Sequence, residues 1–141
     1  MLSNFFLINL SAQTLTDAEL YAPIYSINYS TNKWELNDIN ITFLDDYVID
    51  KIKKNKNSKF IIYLEGHTDD VGTEINNLEL SKKRVRAVAD YLISKGISTD
   101  QIHISYFGET KPVTRKIAIS KKLKDIRYAN RRVEIRIEKV F

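Results

Sequence analysis

The chain has 141 residues, 43% of them hydrophobic and 28% charged, enough for one globular domain with its own core. It has no cysteine, which excludes disulfides and thiolate zinc sites within these residues, and no lipid carried on an N-terminal Cys is expected. The formal net charge of +4 favours anionic partners without naming one.

"MLSNFFLINLSAQ" holds a short apolar run from Phe5 to Leu10, followed by Ser11-Ala12-Gln13. That pattern fits a partial secretory signal over residues 1–13, although no Lys or Arg precedes the apolar run and Asn9 interrupts it. The run is too short to span a bilayer, and no other segment approaches transmembrane length. Residues 14–22 read as a short connecting segment, and 23–141 as the folded domain.

"APIYSINYS" (22–30) alternates Ile and Tyr with small polar residues and predicts a strand. A helix follows, with Ile41, Leu44, Val48 and Ile52 at helical spacing. Asp38 in its first turn and Lys51, Lys53 and Lys54 in its last suit the helix dipole. "NKNS" (55–58) is a turn, and "KFIIYLEG" is an apolar strand ending at Gly66. The next helix carries a stripe of Leu78, Val85, Val88, Ala89 and Leu92 and ends at Lys95-Gly96. "QIHISYFG" (101–108) predicts a third strand, and a short helix is expected near Lys121 to Tyr128. "RRVEIRIEKV" alternates strictly, with Val133, Ile135 and Ile137 inward and Glu134, Arg136 and Glu138 outward. The expected architecture is α+β, a two-layer sandwich in the order β-α-β-α-β-(α)-β. It consists of a mixed four-stranded sheet with two main helices on one face.

The chemistry concentrates between Leu64 and Arg84, "LEGHTDDVGTEINNLELSKKR". Asn77, Ser81 and Arg84 share one helical face, and Asp69 lies in the loop that feeds the helix N-terminus. Three readings are open. Asp69 and Arg84 could form a structural ion pair, or they could clamp a zwitterion through its ammonium and carboxylate. His67, Asp69 and Asp70 could instead ligate a metal, but an H-x-D-D alone is a weak signal, so no metal or cofactor is expected. No nucleophile–base–acid set presents itself, and the chain is read as non-enzymatic. The basic cluster Lys121, Lys122, Lys124, Arg127, Arg131 and Arg132 carries no nucleic-acid motif and is read as a solvated loop.

Gly66, His67, Thr68, Asp69, Gly72, Asn77, Leu80, Ser81, Arg84 and Val88 stand in a register that resembles the OmpA C-terminal-like family, shared with Pal lipoproteins and MotB. "FGETKP" (107–112) and "RYANRRVEIRI" (127–137) are similar to its later motifs, so the resemblance covers roughly Ile24 to Val140. It implies a non-catalytic domain that binds peptidoglycan through the diaminopimelate of the stem peptide. Such a domain would tether the outer membrane or an envelope complex to the wall. It implies a periplasmic or outer-membrane-associated protein of a Gram-negative bacterium, with envelope proteins as further partners. Carried over by position, Asp69 takes the ligand ammonium and Arg84 its carboxylate, while Asn77, Thr68 and Asn32 shape the pocket. Gly66, Gly72, Leu80, Ser81, Asn130, Arg131 and Arg132 support it, with alternation leaving open which of the two arginines faces inward. The alternative reading is a family fold that docks proteins and has lost the ligand. The chain departs from the family pattern at Ser30, Val85 and Tyr106, and its span from Pro112 to Arg127 is longer than typical.

Overall fold

The structure, a computed structural model, describes residues 24–113 and 122–140. The expected signal at 1–13 and the connecting segment at 14–22 lie outside the described residues, as does most of the long span after Pro112. Strand β1 covers Ile24–Asn28. Helix α1 follows as Asp38–Leu44, a π-helical turn at Asp45–Ile49 and Asp50–Lys54. Next come β2 (Lys59–Gly66), α2 (Glu74–Ser94), a 3-10 turn at Thr99–Gln101, and β3 (Ile102–Tyr106). Helix α3 (Leu123–Asn130) leads into β4 (Arg132–Val140).

The four strands form one mixed sheet in the order β1-β4-β2-β3. The last strand enters between β1 and β2, antiparallel to both, while β2 and β3 run parallel. Alternation fixes which side each strand buries. Phe60, Ile62 and Leu64 of β2 and Val133, Ile135 and Ile137 of β4 point to one face. There they meet Leu44, Val48 and Ile49 of α1 and Val85, Val88, Ala89 and Leu92 of α2 in a single core. Both main helices therefore cover one face, and among the described residues the other carries no helix.

Caps set the helix entries. The Asn37 side chain accepts from the Asn40 amide at 2.9 Å to start α1, and Thr73 Oγ1 accepts from the Asn76 amide at 3.3 Å to start α2. Helix α2 stops at Lys95, where Gly96 adopts φ of 95°.

Leu78 departs from the expected stripe: it is 44% exposed. At the first turns of α2 the polar residues Asn77 and Ser81 take the buried positions instead. Gly108 lies against this turn: a Cβ added to it would come within 3.0 Å of the Leu78 amide nitrogen.

Candidate functional site

The segment after β2 is tied down on two sides. The His67 amide donates to the Arg132 carbonyl at 2.9 Å, and the Thr68 amide to the Gly108 carbonyl at 2.8 Å. The Phe107 amide donates to the Gly66 carbonyl at 3.0 Å, and the Gly108 amide to Ser81 Oγ at 2.9 Å. Gly66 is needed because a Cβ there would lie 2.4 Å from the Ser81 carbonyl oxygen and 2.8 Å from Val85 Cγ1. Gly72, with φ of +103°, turns the chain toward α2. Sheet, helix and loop thus fix His67, Thr68 and Asp69 in place.

Arg84 is fully buried. Its Nε donates to the Lys33 carbonyl and its Nη1 to the His67 carbonyl, both at 2.8 Å. Its guanidinium lies 4.9 Å from the centre of the Tyr29 ring. Nη2 is buried with no hydrogen-bond partner. Burial lowers the guanidinium to about 10, opposed by the neighbouring Tyr29 phenol and Asp69 carboxylate, so it stays protonated at neutral pH. The same burial raises the Tyr29 phenol, which stays neutral.

Asp69 is 6% exposed. Its Oδ1 accepts from the Val71 amide at 3.2 Å, and its Oδ2 from Arg131 Nη1 at 2.9 Å. Among the described residues, its ion pair is with Arg131 and not with Arg84. Arg131 Nε also donates to the Tyr29 carbonyl at 2.9 Å, so this arginine bridges β1's end to the loop. Asn77 completes the wall, donating from Nδ2 to the Asp69 carbonyl at 3.3 Å and to Glu109 Oε2 at 2.5 Å. Thr68 is buried beside Asp69 with its hydroxyl unpartnered.

The two arginines of the "NRR" run diverge. Arg131 turns to Asp69, while Arg132 turns to the helix-free side, where Nε donates to Glu134 at 2.7 Å and Nη2 to the Lys111 carbonyl at 3.2 Å. Asn130 Oδ1 accepts from the Val113 amide at 2.7 Å and anchors the chain leaving the β3 loop. Asn32 is exposed with φ of 56°, next to the Lys33 carbonyl that Arg84 uses. Leu80 is half-buried on α2. A cleft of about 340 Å³ adjoins the site through Tyr29 and Lys33 and is lined further by Ser30, Leu36, Asn37 and Asn40.

His67, Asp69 and Asp70 do not converge on a common point among the described residues. Asp70 pairs with Arg127 at 2.7 Å on the surface, and His67 points to Glu65 instead. Tyr29 and Glu109 belong to the site but were not singled out as site residues from the sequence. Both lie within the span of the resemblance, Glu109 in "FGETKP", but nothing in their spacing places them beside Arg84 and Asn77.

The sequence model of the OmpA family matches residues 29–125. The chain belongs to the OmpA family. Outer membrane protein A of Salmonella typhi is 43% identical over 79 residues, which are 53% of this chain and 23% of that protein. The Citrobacter freundii protein of the same name is 42% identical over 77 residues, 52% of this chain and 32% of that one. The matched part is thus at most a third of these relatives' length. Among solved structures, the peptidoglycan-associated lipoprotein of Burkholderia pseudomallei superposes with a TM-score of 0.67 at 24% identity. That match covers 80% of this chain and 89% of the other, and shows the shared fold. The C-terminal domain of Helicobacter pylori MotB gives 0.66 at 25% identity, covering 82% and 85%.

Proposed function

We propose that this domain binds peptidoglycan without cleaving it, gripping the diaminopimelate of the stem peptide and so tethering an envelope component to the wall. The observation that carries this reading is Arg84: a buried cation held by two neutral carbonyls, with Nη2 left over. Burying an unneutralised charge is costly, and a ligand carboxylate on Nη2 offsets that cost. Asp69 offers an acceptor for the ligand's ammonium, with Arg131 sharing its carboxylate. Asn77, braced by Glu109, fixes the Asp69 backbone. The resulting pair of opposite charges matches an amino-acid head group. In support, the sequence belongs to the OmpA family, and a fold relative is named a peptidoglycan-associated lipoprotein. The reading places the protein in the periplasm or at the outer membrane.

Co-sedimentation with purified sacculi tests it. The wild-type chain is expected in the pellet, and Asp69→Ala in the supernatant while still folded by circular dichroism, its melt lowered by loss of the Arg131 ion pair. Wild-type behaviour of Asp69→Ala would show that the pair does not read the ligand, and muropeptide release on incubation would show that the domain is an enzyme.

A further inference from the structure

We propose that Glu65, His67 and Glu134 form a binding site for a divalent transition-metal ion at the edge of the helix-free face. Each offers one ligand atom, and these atoms lie within 4.8 Å of one another. The register explains why they meet. Glu65 of β2 and Glu134 of β4 are directly opposed across the antiparallel pair, and both point away from the helices. Two carboxylates at opposed positions repel unless a cation lies between them. Arg132 reaches Glu134 only, at Oε1. Arg136, the next cation along β4 on this face, is engaged with Glu138 and stacks on Tyr63 at 4.3 Å. Glu65 is left with His67, whose Nε2 is 4.0 Å from Oε2.

His67 supplies the second, independent observation. The residue is 1% exposed, and neither ring nitrogen has a hydrogen-bond partner. A buried imidazole normally satisfies both. Phe107 stacks on one side of the ring with centroids 5.6 Å apart. Burial and the charge of Arg132 push the imidazole down to about 4, so it stands neutral at physiological pH, the form that ligates a metal. A shallow depression of about 80 Å³ lined by Ile24, Tyr63, Glu65, Glu134 and Arg136 brings solvent to the two glutamates, with His67 buried behind them.

The donor set decides the class of ion. One imidazole nitrogen with two carboxylates suits zinc and its first-row neighbours better than magnesium or calcium, which take oxygen ligands only. Zinc bonds of about 2.0–2.2 Å set neighbouring donors roughly 3.3 Å apart, within reach of small rotamer changes in the two glutamates. Three protein ligands leave a fourth position for water. The two carboxylates outweigh Arg132 alone; with Lys111, whose ammonium sits over the Phe107 ring at 3.5 Å, the surrounding charge balances. Binding is therefore expected in the micromolar range, far from the affinities of structural zinc centres.

The test uses the full untagged chain, with cobalt(II) as optical probe and zinc by calorimetry. One saturable cobalt site displaced by zinc is expected, together with a zinc-dependent shift of the His67 ring signals in NMR. Glu65→Gln and His67→Phe are each expected to weaken zinc by about tenfold or more. Glu65 is half-exposed and outside the peptidoglycan site, so Glu65→Gln should still pellet with sacculi; that readout keeps this test separate from the previous one. His103, exposed on the same face beside Tyr63, is the competing ligand, and His103→Gln should titrate like wild type. Absence of saturable uptake, wild-type affinity in Glu65→Gln, or a response from the His103 ring in place of His67 would each overturn the proposal.

Discussion

Arg84 and Arg132 are both buried and both keep one guanidinium nitrogen without a partner, yet they are satisfied in opposite ways. Arg132, on the helix-free side, has a carboxylate against it, and its charge is neutralised inside the fold. Arg84, on the helix side, has two backbone carbonyls and a tyrosine ring, and its charge is not. A buried arginine with a carboxylate against it needs no further anion. A buried cation held only by dipoles is open chemistry, poised for an anion from outside. The difference assigns the ligand to Arg84 and structure to Arg132, and substitutions can reverse or refine that assignment.

The largest effect is expected from Arg84→Ala. It strands the Lys33 and His67 carbonyls and opens a cavity against Tyr29, while relieving the cost of a buried charge. Net stability should fall by about 2–3 kcal/mol. Sacculus binding should fall by about 30-fold or more, since losing a buried charged contact to ligand costs about 2–5 kcal/mol. Arg132→Ala should cost comparable stability and leave sacculus binding intact. Thermal melts and co-sedimentation of the two variants decide the matter: binding lost in Arg132→Ala and kept in Arg84→Ala would invert the roles.

Gly66→Ala strikes the point where the two regions meet. The added Cβ collides with the Ser81 carbonyl, which is helix backbone and cannot rotate aside. Overpacking of this kind costs about 2–3 kcal/mol, readable in urea denaturation. A neutral result would mean that β2 and α2 can separate there, and that neither cluster is held rigidly.

Selectivity for the stem peptide should be smaller. Diaminopimelate presents a carboxylate where lysine presents none. With lysine, Arg84 Nη2 stays unpartnered, at a cost of about 1–3 kcal/mol, or roughly 5- to 150-fold in affinity. Calorimetry with the two matched peptides measures it. Equal affinities would mean that the carboxylate does not reach Arg84, leaving the recognition to Asp69 and Arg131.

How much of this was legible in the chain depends on the range of the interaction. Strand β2 ends at Gly66 as its pattern predicts, and Val133, Ile135 and Ile137 face the core as strict alternation requires. Local periodicity carries such information. It does not carry the π-turn at Asp45–Ile49, which adds a residue to one turn while leaving the apolar spacing plausible. Nor did alternation say which arginine turns to Asp69. Arg131 precedes β4, with φ −78° and ψ 80°, so it lies outside the pleat that orients Arg132. The meeting of Glu65 with Glu134 depends on an antiparallel register between segments about 70 residues apart, which no local pattern encodes. The motif register singled out Asp69, Asn77 and Arg84. Their actual partners, Arg131, Glu109 and two carbonyls, came only with the tertiary fold.

The smallest effect is expected one residue from one of the largest. Asp69 and Asp70 are adjacent and chemically alike, and both belonged to the H-x-D-D set weighed for metal. Asp69 is buried between the Val71 amide and Arg131, whereas the Asp70 side chain is 64% exposed and pairs with Arg127 at the surface. That pair holds the Asp70 carboxyl below its usual range, chiefly through the Arg127 hydrogen bond, but water and salt screen it. Asp70→Asn should therefore leave the melting temperature, sacculus binding and zinc affinity where they are. Asp69→Asn keeps the shape but removes the charge that Arg131 and the ligand ammonium share, and should lose sacculus binding. The two variants, made side by side, separate burial from sequence position. Matching losses in both would mean that the loop acts through its total negative charge, and that the buried geometry around Asp69 is not what selects the ligand.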